Sequence, residues 1–453
     1  MLKKVAAIVI VLAVMLTILV GCPGKTEEPD TDKSNQTGKE KLVIWTNLTA
    51  EAQITVLTKQ FNELSSEMGV EVEINPVPLT DLYSKMATAK ESGTLPDIMH
   101  TAEASVAYLE GQGVLECMDD IINELGRDDF MESALNMNTV DGKVWGVPDW
   151  VMHTSVWYRK DLFAKYGLNV PQNWEEFAAV ASALNIDTNE DGEIDIYGFP
   201  VPMDAVLVAT QTYYPFLYAN GLTTLDPSTG EYVFGDNIEE EVEIMEYIMD
   251  LFKASSPPAS ISWTWSDYRN ALVEGNVAMT LDMGAVVGLA QTNNPDMVVN
   301  LGCFDLPGKD GPAKATFGGT YNFVVINQGG DAKVALAKEF VKKLYVPERT
   351  AERALSRPMF AFPSQNSAFA IYKDDVSVQP FQTEMTTIYN SLRDLTWYAY
   401  GMESGLNQLN TSMQATTFFG EAMQSVALNQ MTSQEAVEYI DQKLQEQIQL
   451  INP

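Results

Sequence analysis

Between Val140 and Phe163 the chain reads Val-Asp-Gly-Lys-Val-Trp-Gly-Val-Pro-Asp-Trp-Val-Met-His-Thr-Ser-Val-Trp-Tyr-Arg-Lys-Asp-Leu-Phe. Asp141-Gly142 is a tight-turn dipeptide between apolar runs, so Val140 and Lys143 to Val147 are expected to form a hairpin. Pro148 should end that ladder, because its nitrogen has no hydrogen to donate. Val151 to Tyr158 is β-branched and aromatic with loose alternation, as in a strand that leaves one compact unit and enters another. One carboxylate, Asp149, sits at the junction with two rings, Trp150 and Trp157.

Upstream, Leu42-Val43-Ile44-Trp45 is a short continuous apolar run, the pattern of a strand buried on both faces. Ile54, Leu57, Phe61, Leu64 and Met68 then recur at helical spacing and Gly69 stops the helix. Val70, Val72 and Ile74 alternate as a second strand. Leu82, Met86 and Ala89 mark a second helix, and Leu95 to Met99 a third strand. Strand, helix, strand, helix, strand is an α/β pattern. At 453 residues, with 46% apolar residues, the chain is too long for one comfortable core and two domains are expected.

The 62 acidic against 28 basic residues give a net charge of −34. Nucleic acid is excluded as a partner, since phosphate neutralisation needs clustered Lys and Arg. The acidic surface also disfavours anionic ligands and leaves neutral solutes open. At the N-terminus, Lys3 and Lys4 precede an apolar run from Val5 to Leu19, and Leu19-Val20-Gly21-Cys22 has the form of a bacterial lipobox. Residues 1–21 are read as a cleaved signal peptide and Cys22 as a lipidated first residue, with the membrane touched only through that anchor. A single-pass membrane anchor is the alternative, but the apolar run is short for a span. Residues 22–40 are polar and charged, a flexible tether. Cys117 and Cys303 are expected to be free thiols.

Gly-Lys-Val-Trp-Gly-Val-Pro at 142–148 and Tyr-Arg-Lys-Asp-Leu-Phe at 158–163 resemble the first lobe-crossing segment of family 1 extracellular solute-binding proteins, the maltose-binding-protein-like receptors of ABC importers. The similarity continues through Leu-Pro-Asp-Ile-Met at 95–99, Gly-Val-Leu-Glu at 113–116 and Val-Pro-x-x-Trp-Glu-Glu-Phe at 170–177. It extends to Ala271 to Thr280 and to Phe-Gly-Gly-Thr-Tyr at 317–321. It implies an α/β fold of the two-lobe periplasmic-binding-protein type, with a ligand cleft between the lobes and a multi-strand hinge. Residues 41–150 and 305–365 would form the N-lobe, and 151–304 and 366–453 the C-lobe. The implied function is capture of a neutral solute, foremost an oligosaccharide, by a monomer that delivers it to an ABC permease.

Ligands of open α/β sheets sit beyond the carboxyl ends of the strands. That rule nominates Asn47, Glu103, Asp149, Trp150, Asp282, Gly319 and Tyr321, and aromatic stretches outside periodic elements add Trp263, Trp265 and Trp397. Flat rings with carboxylate and amide acceptors match the apolar faces and hydroxyls of sugars. Sugar-binding relatives often carry Asn-Gly-x-Trp after the strand that ends at Leu281. This chain has Asp282-Met283-Gly284-Ala285, so Trp263 or Trp265 takes over that ring's role, or the solute is smaller or not a sugar.

Asp187, Asn189, Asp191, Glu193 and Asp195 fall at calcium-loop spacing with Gly192 at the sixth position, although Gly198 stands where a bidentate Glu is usual. A structural calcium ion is therefore expected. No hydrolase, metalloprotease or nucleotide-binding motif is present. A receptor rather than an enzyme is expected, with a secreted glycosidase using Glu103 and Asp282 as the competing reading.

Overall fold

The computed structural model describes residues 39–204, 207–328 and 330–451. The expected signal peptide, Cys22 and nearly all of the expected tether lie outside the described residues. Among the described residues no helix is long and apolar enough to cross a membrane. Residues 40–453 form one compact unit built on two main sheets.

The large sheet begins with β1 (Lys41–Thr46), β2 (Glu71–Pro76) and β3 (Ile98–Ala102), all parallel, with β1 in the middle. Helices Glu51–Met68 and Leu79–Ser92 form the crossovers, and each ends on a glycine, Gly69 and Gly93, in the left-handed region. The third strand starts three residues later than the sequence pattern suggests. Asp97 lies outside it, because its carboxylate accepts from the Val43 amide at 2.8 Å and pairs with Lys333.

A two-strand hairpin follows, β4 (Thr139–Val140) and β5 (Lys143–Val144), joined by Asp141 and Gly142 with φ of 51° and 73°. Two positive φ angles in succession are the mark of a hairpin turn whose twist matches its strands. Pro148 does not end a ladder. It lies inside β6 (Val147–His153), opposite Asn322, where the register with β10 (Ala315–Val325) shifts and a missing N–H is tolerated.

The chain then changes sheet in a single residue. After Thr154, β7 (Ser155–Arg159) is the centre of a three-stranded antiparallel sheet with β8 (Met279–Asp282) and β9 (Leu301–Phe304) on either side. β10 returns to the large sheet, antiparallel to both β3 and β6, so the change of sheet falls at His153–Ser155 on the way out and between Phe304 and Ala315 on the way back. β11 (Phe362–Pro363) pairs with β6, and β12 (Thr396–Tyr398) lies parallel to the start of β10.

The helix caps follow the sequence. The Asn173 side chain accepts from Glu176 N, and Thr432 with Glu435 forms a reciprocal capping box. The C-terminal helix buries Ala436, Val437, Ile440 and Leu444. Cys117 and Cys303 are both free.

Candidate functional site

One side chain after another, the strand order brings polar groups together above the centre of the large sheet. Tyr321 in β10 faces Trp150 across one ladder and Ala102 across the other. Its ring stacks on Trp150 at 5.0 Å between centroids and 24° between planes. Glu103 opens the helix Glu103–Gly111 directly after β3 and is 8% exposed. One carboxylate oxygen, Oε2, accepts from the Thr320 amide at 3.0 Å. A Cβ at Gly319 would come within 3.2 Å of that same oxygen, so the glycine makes room for a buried acid rather than for a ligand's approach to the backbone. Asn47, just past β1, lies beside the Tyr321 phenol, and Ser105 beside that of Tyr83. Asn47 Oδ1 and Trp150 Nε1 are buried with no hydrogen-bond partner among the described residues. Unpaired polar atoms in such a place are the groups a polyhydroxylated molecule or ordered water would satisfy.

The smaller sheet faces this cluster through the helix Trp265–Glu274. Tyr268 and Arg269 both reach Asp282 at the end of β8, at 3.1 and 2.6 Å. The other oxygen of Asp282 accepts from the Val286 amide at 3.2 Å. Asp282 therefore holds Arg269, Tyr268 and a helix start. The segment Arg357–Phe360 lies against this corner, for a Cβ on Gly284 would meet the Met359 carbonyl oxygen at 2.0 Å.

Asp149 also proves to be internal. It is 0% exposed, receives Arg353 on both oxygens at 2.7 to 3.0 Å, and meets His100 Nε2 at 3.0 Å. Arg353 in turn donates to Gln60 Oε1, the Leu344 carbonyl and Thr350 Oγ1. Burial alone would raise the Asp149 pKa, but Arg353 and His100 outweigh it and hold the acid below its ordinary range. His100 lies within β3, where burial lowers its pKa.

The remaining aromatics separate. Trp265 donates to Gln211 Oε1 at 2.7 Å and, like Trp263, is half-buried on the side of the smaller sheet. Trp397 is 3% exposed, donates to the Leu392 carbonyl and packs its ring against Gly318, so it seals the junction of β10 and β12. Arg269, Tyr268, Tyr83 and Arg357 went unnoticed in the sequence, because each sits in an ordinary helix or loop without a motif.

In the acidic loop after Ile186 the side chains accept from the loop's own backbone: Asp187 from the Asp191 and Gly192 amides, Asn189 also from the Asp191 amide, Asp191 from the Glu193 amide, and Asp195 from the Thr188 amide at 2.7 Å. Among the described residues no group of three or more Asp, Glu, His or Cys is arranged to hold a metal ion. Gly198, where a closing Glu would stand, packs against the Ala181 carbonyl.

A cavity of about 810 Å³ lies elsewhere, between the helix Glu132–Asn136 and the segment Leu392–Gly405; Trp397 lines it, and Asn47, Glu103, Asp282 and Tyr321 do not. Its wall includes Glu403, buried and accepting from Tyr218 and the Thr224 and Gly401 amides. Burial pushes both Glu103 and Glu403 up to about 7. A folded-state pKa above the unfolded value favours folding at low pH, and that contribution is lost as pH rises from about 4.3 to 7. At about 1.4 kcal/mol per unit, each acid should cost up to ~4 kcal/mol above neutrality. The variant carrying Glu103→Gln and Glu403→Gln should therefore lose less stability than the parent between pH 5 and pH 8 in urea melts. Parallel pH slopes in the two proteins would refute the assignment.

Residues 45–351 match the family of bacterial extracellular solute-binding proteins. The putative ABC transporter periplasmic-binding protein YcjN of Escherichia coli K12 is 25% identical over 276 residues, covering 59% of this chain and 60% of that one. The chain thus spans about three-fifths of the length of that relative. The arabinooligosaccharide-binding protein of Halalkalibacterium halodurans is 23% identical over 339 residues, 70% of this chain and 69% of its own. A crystal structure of an ABC transporter solute-binding protein from Agrobacterium radiobacter K84 in complex with ribitol superposes with a TM-score of 0.72 at 19% identity, over 91% of this chain and 99% of that one. At that identity the likeness establishes the fold, which is of the two-lobe kind.

Proposed function

The chain belongs to the bacterial extracellular solute-binding proteins, a family of binding proteins rather than enzymes, and from that premise we propose that it captures an oligosaccharide between two lobes for an ABC permease. The observation that supports it is that two groups of side chains, Asn47, Glu103, Trp150 and Tyr321 by the large sheet and Tyr268 and Arg269 at Asp282 of the smaller one, are linked through Arg357, on which Tyr321, Tyr268 and Arg269 all act. The sheets are joined by strands that change sheet within a few residues, as at Thr154. Such crossings act as a hinge that swings each sheet with its helices as a body. A solute touching both groups stabilises the closed arrangement by its differential contact there.

Secretion and anchoring through a lipid on Cys22, action as a monomer, and delivery to permease subunits complete the proposal. The lipobox supports the anchor: a Cys22→Ala variant should move from the membrane to the soluble fraction, and retention on the membrane would refute it. The relatives named for oligosaccharides support the solute class. Isothermal titration with arabino-, chito- and malto-oligosaccharides should give one saturable heat, with the sugar recovered unchanged. Shortened sugar products would instead favour a glycosidase, and no binding across the panel would remove oligosaccharides as the solute.

A further inference from the structure

Of the arginines among the described residues, Arg159, Arg269, Arg349, Arg353 and Arg393 each have a carboxylate ion-pair partner, and Arg127, in the short turn Arg127–Asp129, does not. Among the described residues the Arg357 guanidinium has none, in a chain with 62 acidic side chains. It lies 3.5 Å from the Phe360 ring centroid, and that stacking uses its face and leaves the N–H edge free. The groups that act on it are Arg269, Asp282, Tyr321 and Tyr268, so it looks onto the proposed solute site from the corner where the two sheets' elements meet.

Asp282 cannot neutralise it, because both carboxylate oxygens already serve Arg269, Tyr268 and the Val286 amide. Glu103 acts on Tyr321 but is not among the groups acting on Arg357. Two guanidinium groups therefore share one carboxylate. The cost of that excess is visible in Arg357 itself, whose pKa is lowered to about 10 by burial and by Arg269.

Resting on the receptor reading above, we infer that the solute carries a carboxylate, as in a uronate-containing oligosaccharide, and that Arg357 is the residue that receives it. A fork of parallel N–H donors matches a carboxylate in two hydrogen bonds. One unneutralised charge suits a singly charged carboxylate better than a phosphate monoester, which carries about −1.5 to −2. The acidic exterior does not forbid this, since exposed charges are screened beyond about 8 to 10 Å while the contact to Arg357 is local.

The test uses the mature protein and trisaccharides of galacturonate, glucuronate and mannuronate, each paired with its carboxyl-reduced neutral counterpart. Parent protein should bind one of the acidic sugars about 10- to 100-fold more tightly than its neutral partner, the span of one charge-assisted pair. Arg357→Gln should abolish that preference, the acidic sugar then binding no more tightly than its neutral partner, and Arg357→Lys should keep part of it. Melting temperatures of both variants establish that they are folded, and Arg357→Lys alone decides the matter if Arg357→Gln is not. Equal affinity for acidic and neutral partners, or a preference that survives Arg357→Gln, overturns the inference and leaves the receptor reading standing. A folded parent protein that binds no sugar of either kind overturns both.

Discussion

Arg353→Met should destabilise the protein by about 3–5 kcal/mol in urea unfolding, the largest loss expected of a single substitution here. The reason is not the worth of the ion pair but what its removal leaves behind. Asp149 is completely buried, and without Arg353 its charge would keep only His100, itself a neutral partner because burial lowers its pKa. Gln60 Oε1 and the Leu344 carbonyl would lose their donor in the same step. Asp149→Leu should cost a similar amount for the reciprocal reason, and the double substitution should cost distinctly less than the two singles added, since a buried pair can be exchanged for apolar residues with little loss. Additive losses would mean that the two residues do not act as a unit.

Gly284→Ala should weaken solute binding by about 100-fold or more while costing the unliganded protein only about 1–2 kcal/mol. Two effects separate here. Gly284 has φ of +95°, so any side chain strains the backbone in every state of the protein. The second effect depends on how the halves are arranged, because a Cβ would lie 2.0 Å from the Met359 carbonyl and 3.3 Å from the Phe360 amide. Backbone cannot rotate away as a long side chain can, so the start of the helix Ala285–Asn293 and the segment Arg357–Phe360 would be held apart. If closure brings those two together around the solute, the variant loses affinity out of proportion to stability. Unchanged affinity would mean that this contact is no part of the liganded form.

What could be read from the chain follows the range of the forces involved. The β1 and β2 strands, the helix between them, the Asp141-Gly142 turn and the Thr432–Glu435 box are set by neighbours within a few residues, and they stand as expected. Pro148 misled because a bulge opposite Asn322 makes room for a residue without an N–H, and the bulge depends on β10, far along the chain. Asp97 falls outside β3, which starts three residues later than expected, its carboxylate binding the Val43 amide. Carboxylates were the hardest case. Asp149 and Asp282 look alike in sequence to solvated acids or ligand groups, and only Arg353, 204 residues away, and Arg269 reveal them as internal. Glu103 kept its place near the cluster because it begins a helix straight after a buried strand. Arg357 had no local signal at all, being defined by the partner it lacks.

The account depends on two halves that close on a solute, and small-angle X-ray scattering measures this directly. On addition of an oligosaccharide that binds by calorimetry, the radius of gyration of the mature protein should fall and the scattering should then fit the compact arrangement in which Met359 lies against Gly284. An unchanged profile, with the sugar bound and the molecule equally compact before and after, would contradict it.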